Sequence, residues 1–218
     1  MTAATDLITH LRSLRNPRNI EGQRRFGISG HSEQLGLAAP QLREIARAHR
    51  GDHALALELW ASGIHDARGL ATLVDDPRRI TRGQMERWVR DCDNWAVTDA
   101  LAFLFDRTPF AEEKAHRWSR RKAEFVKRAA FSMMAGMAVH RKELPDAVFL
   151  GFLPVIARES TDERNFVRKA VNWALRGIGK RNPRLKRAAI AEAKKLQRRD
   201  SKAARWIAAD ALRELRSR

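Results

Sequence analysis

Apolar residues in this chain recur at intervals of three and four positions, the spacing that gathers side chains on one side of a helix. Phe166, Ala170, Trp173 and Gly177 form one such stripe, with Lys169, Asn172, Arg176 and Lys180 running beside it. Strand signals are weak: tyrosine is absent, β-branched residues rarely alternate with polar ones, and Ala, Leu, Arg, Glu and Lys dominate. The pattern predicts helices near residues 3–15, 38–50, 52–62, 64–75, 81–91, 94–106, 110–120, 122–141, 145–158, 162–178, 184–198 and 201–216, joined by short turns. Pro40 suits a first helical turn, Asp93 or Asn94 a cap for the helix after it, and Gly179 with Pro183 the close of the 162–178 helix. Residues 16–36 are the least regular stretch, where Asn16–Asn19 and Gly27–Gly30 read as loops flanking a short helix.

Short helices in such number predict an all-α protein built as an α-solenoid of stacked antiparallel helix pairs, in one domain over residues 1–218, rather than a four-helix bundle. Internal sequence repetition is poor, and the spacing only loosely matches the roughly 40-residue period of HEAT-like repeats. The repeat reading therefore rests on the rhythm of the helices.

Composition narrows the partner. Hydrophobic residues make up 44% of the 218 positions and charged residues 32%, which suits a globular, soluble chain. There is no run of eighteen apolar residues, and the segment from Met1 to His10 lacks the apolar core of a signal peptide. No membrane association is expected, and the expected location is cytoplasmic, on the nucleoid when DNA is bound. The single cysteine, Cys92, lies between Asp91 and Asp93, whose charges oppose thiolate formation, so it is expected to be inert. The net charge is +17, and it is uneven: residues 176–218 hold 15 Lys and Arg against 4 Asp and Glu. A polyanion is the default partner of such a chain.

Metal and nucleotide chemistry find no support. The seven histidines form no His-Glu-x-x-His pair, and no glycine loop matches a phosphate cradle, so neither metal nor cofactor is expected. Gly177-Ile178-Gly179-Lys180 has the look of a helix-hairpin-helix turn, although a helix C-cap is the simpler reading. Trp95 and Asp99 are one turn apart on a predicted helix and share a face, whereas Val97, Ala100, Leu101 and Leu104 serve its apolar side. Asp99 is then either a functional carboxylate or a surface acid beside a packed tryptophan. On the 122–141 helix, Lys127 and Arg128 interrupt a nearly all-apolar run from Phe125 to Val139. A cation there calls for an anion: for Arg128, either Asp99 or a phosphate, unless it snorkels at the core's edge. The Lys169, Asn172, Arg176, Lys180 stripe suits a DNA backbone, with Trp173 at its margin facing either the core or a nucleotide.

Taken in order, six blocks resemble the HEAT-like-repeat DNA glycosylases of the DNA alkylation repair enzyme family: Leu59 to Arg68, Met85 to Val89, Trp95 to Asp99, Glu124 to Arg128, Asn165 to Arg176, and Ala204 to Ala208. The resemblance covers nearly the whole chain. It implies an α-solenoid with a concave basic face, a monomer, and double-stranded DNA containing alkylated bases as partner. The implied reaction is removal of cationic alkylated purines, such as N3-methyladenine and N7-methylguanine, by hydrolysis of the N-glycosidic bond in base excision repair. By position, Asp99 corresponds to the catalytic carboxylate, Trp95 and Trp173 to the flanking aromatics, and Arg128 to the backbone-binding arginine. Lys169, Asn172, Arg176, Lys180 and Arg181 complete the expected DNA contacts. A cationic purine is already a good leaving group, so the protein needs only to stabilise an oxocarbenium-like sugar and position water, which a carboxylate and indole faces can do.

Two positions depart from the family. Ala96 replaces the first acid of its Trp-Asp-x-x-Asp pattern, with Asp93 keeping negative charge near the helix start, and no tyrosine is present, Phe26 being the nearest aromatic substitute. The rival expectations are a non-catalytic DNA-binding solenoid that recognises distorted or branched DNA, and a protein-interaction scaffold, against which the basic 176–218 segment argues.

Overall fold

The computed structural model describes residues 2–217. Among them are thirteen α-helices and no strand: α1 (Ala3–Ser13), α2 (Pro17–Arg25), α3 (Ala39–Ala46), α4 (His53–Ala61), α5 (His65–Val74), α6 (Arg82–Arg90), α7 (Trp95–Phe105), α8 (Ala111–Trp118), α9 (Glu124–His140), α10 (Asp146–Glu159), α11 (Asn165–Gly179), α12 (Pro183–Gln197) and α13 (Lys202–Arg216). They fall into two compact units, Met1–Leu104 and Phe105–Arg218. No helix among the described residues is long and apolar enough to cross a membrane.

Residues 16–19, expected as a loop, begin a helix. Asn16 caps α2 by accepting from the Asn19 amide at 3.1 Å, and Pro17 occupies the first turn, where its missing N–H costs nothing. An asparagine-proline pair is at once a turn signal and a helix start, and only the following residues distinguish them. After α2 the chain stays irregular to residue 38 and is fastened to α5 by a side chain. Asp66, 1% exposed, accepts from the amides of Leu35 at 2.7 Å and Leu37 at 2.8 Å. In the same unit the rings of Trp60 and Trp88 stack at 4.2 Å with 2° between planes, and the Arg68 guanidinium lies 5.4 Å from the Trp60 centroid. The Trp60 indole N–H donates to Asp91 at 2.8 Å, so this block of the sequence is a packed corner of the core.

Cys92 is buried beside that corner, its thiol 3.5 Å from the Trp88 carbonyl, and burial pushes it up to about 12. The native protein is therefore expected to resist thiol alkylation, with Cys92 reacting only at the rate of global unfolding. Rapid labelling of folded protein by iodoacetamide would contradict this.

In the second unit, α8 with α9, α10 with α11 and α12 with α13 form successive antiparallel pairs. Helices α9, α11 and α13 pack side by side in one layer, and α8, α10 and α12 in the other. Close approach of α9 and α11 follows from small residues: a Cβ on Gly177 would lie 3.5 Å from the Ala135 Cα. The repeat that is so faint in the sequence is plain in hydrogen bonds that recur about 40 residues apart. Arg158 donates to the Ser119 hydroxyl at 2.9 Å, and Arg199 to that of Ser160 at 3.3 Å. Arg141 reaches the carbonyls of Asp106 at 3.2 Å and Thr108 at 3.4 Å, as Arg181 reaches those of Lys142 at 2.8 Å and Leu144 at 2.9 Å. Each pair ties one repeat to the next.

Gly177 and Gly179 belong to the body of α11 and form no hairpin. A Cβ on Gly179 would come within 2.7 Å of a Leu215 methyl, so it is packing against α13 that requires glycine here, and Lys180 takes the cap position.

Asp106, fully buried, bonds to His140 Nδ1 at 2.7 Å. Burial pushes its carboxyl up to about 6, although the His140 hydrogen bond and nearby Arg107 and Arg141 pull the other way. A folded-state pKa above the unfolded one gives stability that is complete below about pH 4 and is lost as pH rises through about 6. Relative to wild type, Asp106→Asn should therefore gain up to about 3 kcal/mol between pH 4 and pH 7. Urea titrations of both proteins at the two pH values check it, and a pH-independent difference would refute it.

Candidate nucleic-acid interface

The first unit contributes α7. Asn94 caps this helix, its Oδ1 accepting from the amides of Ala96 at 3.0 Å and Val97 at 3.2 Å. Asp93 is thereby left for the loop before α3: it accepts from the Ser32 amide at 3.0 Å, the Ser32 hydroxyl at 2.9 Å and the Asn94 side-chain amide at 2.8 Å. Burial pushes this carboxyl up, but those hydrogen bonds outweigh it and hold Asp93 below the usual range. A Cβ on Gly30 would sit 2.2 Å from the Asp93 carboxylate, so the loop passes directly over it. Asp93 thus anchors a loop and does not stand in for the acid that Ala96 replaces. His65 also touches this cap, 3.2 Å from the Asn94 amide nitrogen, and burial lowers its pKa despite Asp66 and Asp93.

Along α7, Val97, Thr98, Leu101, Ala102 and Leu104 are buried, while Trp95, Ala96, Asp99, Ala100 and Phe103 are partly exposed. Trp95 and Asp99 share that half-exposed face, one turn apart, as the spacing predicts. Ala100 joins them there and not the core. The Trp95 indole N–H donates to the Phe26 carbonyl at 2.9 Å, which holds the ring's orientation. Phe26 ends α2 and Gly27 follows at φ +76°, a conformation that lets the chain turn sharply and leaves the Phe26 ring 76% exposed. This link uses a backbone carbonyl, so no side-chain pattern in the sequence could have signalled it.

The second unit places Arg128 on α9, only 6% exposed, with its guanidinium donating to the Phe166 carbonyl of α11 at 2.7 Å. Neighbouring Lys127 is held by Glu159 at 2.5 Å and Asp162 at 3.2 Å. Asp162 is buried enough to raise its carboxyl, yet hydrogen bonds from Arg164 and Lys127 bring it down to about 2. On α11, Lys169 is exposed and Trp173 partly exposed.

The rest of the expected cationic stripe has another destination. Helices α11 and α13 run parallel, and acids of α13 meet the stripe position by position. Asn172 donates to Asp210 at 2.6 Å, Arg176 lies 3.6 Å from Asp210 and pairs with Glu214, and Lys180 pairs with the same Glu214. Hydrogen bonds from Lys180 and Arg176 hold the Glu214 carboxyl below its usual range, against the opposing effect of burial. A phosphate here would have to displace two carboxylates, so the stripe is not the open track its spacing suggests. Arg181 is likewise spent, on the Ala138, Lys142 and Leu144 carbonyls and the Phe149 ring, 4.3 Å away. Asp210 and Glu214 are the only acids on α13 and stand four apart, the signal that could have exposed this pairing. One further contact is absent from the sequence reading: the Arg168 guanidinium lies 5.1 Å from the centroid of Trp206, itself exposed on α13. Among the described residues no group of His, Cys, Asp and Glu could hold a metal ion.

Residues 7–215 match the family model described as DNA alkylation repair enzyme. The chain belongs to this DNA alkylation repair enzyme family. It is 28% identical over 151 residues to an uncharacterized protein of Listeria innocua, and 27% identical over 151 residues to one of Listeria monocytogenes. Each match covers 67% of this chain and 66% of the relative, so the likeness spans about two thirds of either protein. A solved structure superposes with a TM-score of 0.80 at 18% identity, over 98% of this chain and 95% of the other. That protein is described as belonging to a new family related to the HEAT-like repeat DNA glycosylases, with affinity for branched DNA structures. The likeness gives this member of the DNA alkylation repair enzyme family a HEAT-like repeat fold.

Proposed function

We propose that the protein is a monofunctional DNA glycosylase that hydrolyses the N-glycosidic bond of cationic alkylated purines in duplex DNA. One observation carries this reading: Trp95 and Asp99 stand together on the half-exposed face of α7, with the Trp95 ring held in place by the Phe26 carbonyl. The purine's own positive charge makes it a leaving group, so the chain must supply only negative charge and π density to the developing sugar cation, and a held water. Asp99 stabilises the cation and orients the water, and Trp95 offers its indole face. Trp173 offers a second indole to the DNA. Lys169 contacts phosphate, and Arg128 steadies the start of α11 from which Lys169 and Trp173 project. The reaction runs by water without a Schiff base, and a monomer suffices for it. The test is release of methylated base from alkylated duplex by wild type and by Asp99→Asn; equal rates, or none from wild type, would sink the proposal.

A second reading is non-catalytic recognition of branched DNA. It is favoured by the likeness of fold to a protein with that affinity and by Ala96 in place of an acid. It predicts binding that weakens steeply with salt and no base release.

A further inference from the structure

The cations that the α11–α13 seam neutralises are not where the excess charge of the second unit resides. Residues 183–199, which form α12 and its C-terminal end, carry seven Lys and Arg against one acid, Glu192. The helix buries Leu185, Ala189, Ala193 and Leu196 on one side. On the other, Arg184, Arg187, Ala191, Lys194, Lys195 and Arg198 are exposed and recur at helical spacing, so five cations stand in a single row. Lys195 pairs with Glu192 at 3.0 Å, and Arg184 approaches Asp146 only to 3.9 Å. Arg187, Lys194 and Arg198 have no anionic partner among the described residues.

Like charges three and four residues apart on a helix repel, so this row costs stability unless a polyanion offsets it. It is about 20 Å long, comparable with the axial rise of about six base pairs of duplex. Its exposed positions carry no large apolar side chain that could enter a lipid surface. The row belongs to the α8–α10–α12 layer, whereas Lys169, Trp173 and Lys202 lie in the α9–α11–α13 layer. A straight duplex seated on one layer leaves the other uncovered.

We propose that the exposed face of α12 is a second phosphate-binding surface that takes a second duplex arm, so that branched DNA is held by both layers of the unit. This rests on the reading of the protein as DNA-binding and holds whether or not it cleaves bases. The test compares a four-way junction with a linear duplex of equal length, by fluorescence anisotropy over a salt series. Wild type is expected to prefer the junction. The variant Arg187→Gln/Lys194→Gln/Arg198→Gln, whose helical circular dichroism should be unchanged, is expected to lose about tenfold in junction affinity, its salt slope falling by about 2 to 3. Linear-duplex affinity should stay within about twofold, as expected if those contacts form only with the second arm. Unchanged junction binding, or equal weakening on both substrates, overturns the proposal while leaving DNA binding intact. Failure of wild type to bind either substrate overturns both.

Discussion

Asp99→Asn is expected to lower the rate of methylpurine release about 100- to 1,000-fold while leaving affinity for alkylated duplex within about twofold. The amide keeps the shape of the carboxylate and removes its charge. In the ground state the positive charge resides on the alkylated base, and on the way to the transition state it moves to the sugar ring. A carboxylate beside that sugar therefore strengthens its hold as the bond breaks, and interactions stronger in the transition state are the ones that accelerate chemistry. Asp99 sits on a partly exposed helix face, one turn from an indole whose own N–H is occupied by the Phe26 carbonyl. The polar edge of the ring is thus already engaged within the protein. Single-turnover release of methylated base, measured beside duplex affinity, separates the outcomes. A parallel loss of binding and rate would place Asp99 in DNA recognition, and an unchanged rate would remove it from the chemistry.

The largest expected effect on stability belongs to Asp66→Ala, at about 3 to 5 kcal/mol. Two buried amides, those of Leu35 and Leu37, donate to this one carboxylate, and alanine leaves both without a partner. An unsatisfied buried donor costs about 1 to 3 kcal/mol, and a typical domain has only about 5 to 15 kcal/mol in all. The damage should be regional. The 27–38 segment would lose its attachment to α5, while the α8–α13 repeats keep their own hydrogen bonds. Urea denaturation reports the size of the loss, and hydrogen exchange its location, the Leu35 and Leu37 amides becoming the first in the unit to exchange. Full protection of those two amides in the variant would show that packing of the leucines holds the segment without the carboxylate.

The features legible in the sequence are those set within a single helix. Trp95 and Asp99 share a face because 3.6 residues make a turn, and that reading needs no knowledge of what lies opposite. Cys92 reads as inert from its two acidic neighbours, but burial is the main cause and the acids add only a little to it. The start of α2 reads as a loop in the sequence and is a helix in the structure because asparagine and proline serve a turn and a helix N-terminus equally well. The phosphate stripe on α11 had the right spacing and the wrong environment: its partners Asp210 and Glu214 lie on another helix, and only the parallel packing of α11 and α13 aligns them with Asn172, Arg176 and Lys180. The repeat shows in the sequence only as a rhythm of helices because its recurring bonds run largely from arginine to backbone carbonyls, which every residue carries.

By itself the sequence determined the all-helical class, the faces of the helices, the basic charge and the blocks shared with the DNA alkylation repair enzyme family. Periodicity and composition are local properties or simple sums, so they survive without coordinates. Only the tertiary structure decided which cations are already neutralised and which remain for a partner. A charge's availability depends on what packs against it, and those neighbours lie about 40 residues away in a repeat fold. Arg181, chosen from the sequence as a phosphate ligand, is bound to three carbonyls, while Arg187, six residues later, stands in the open row on α12.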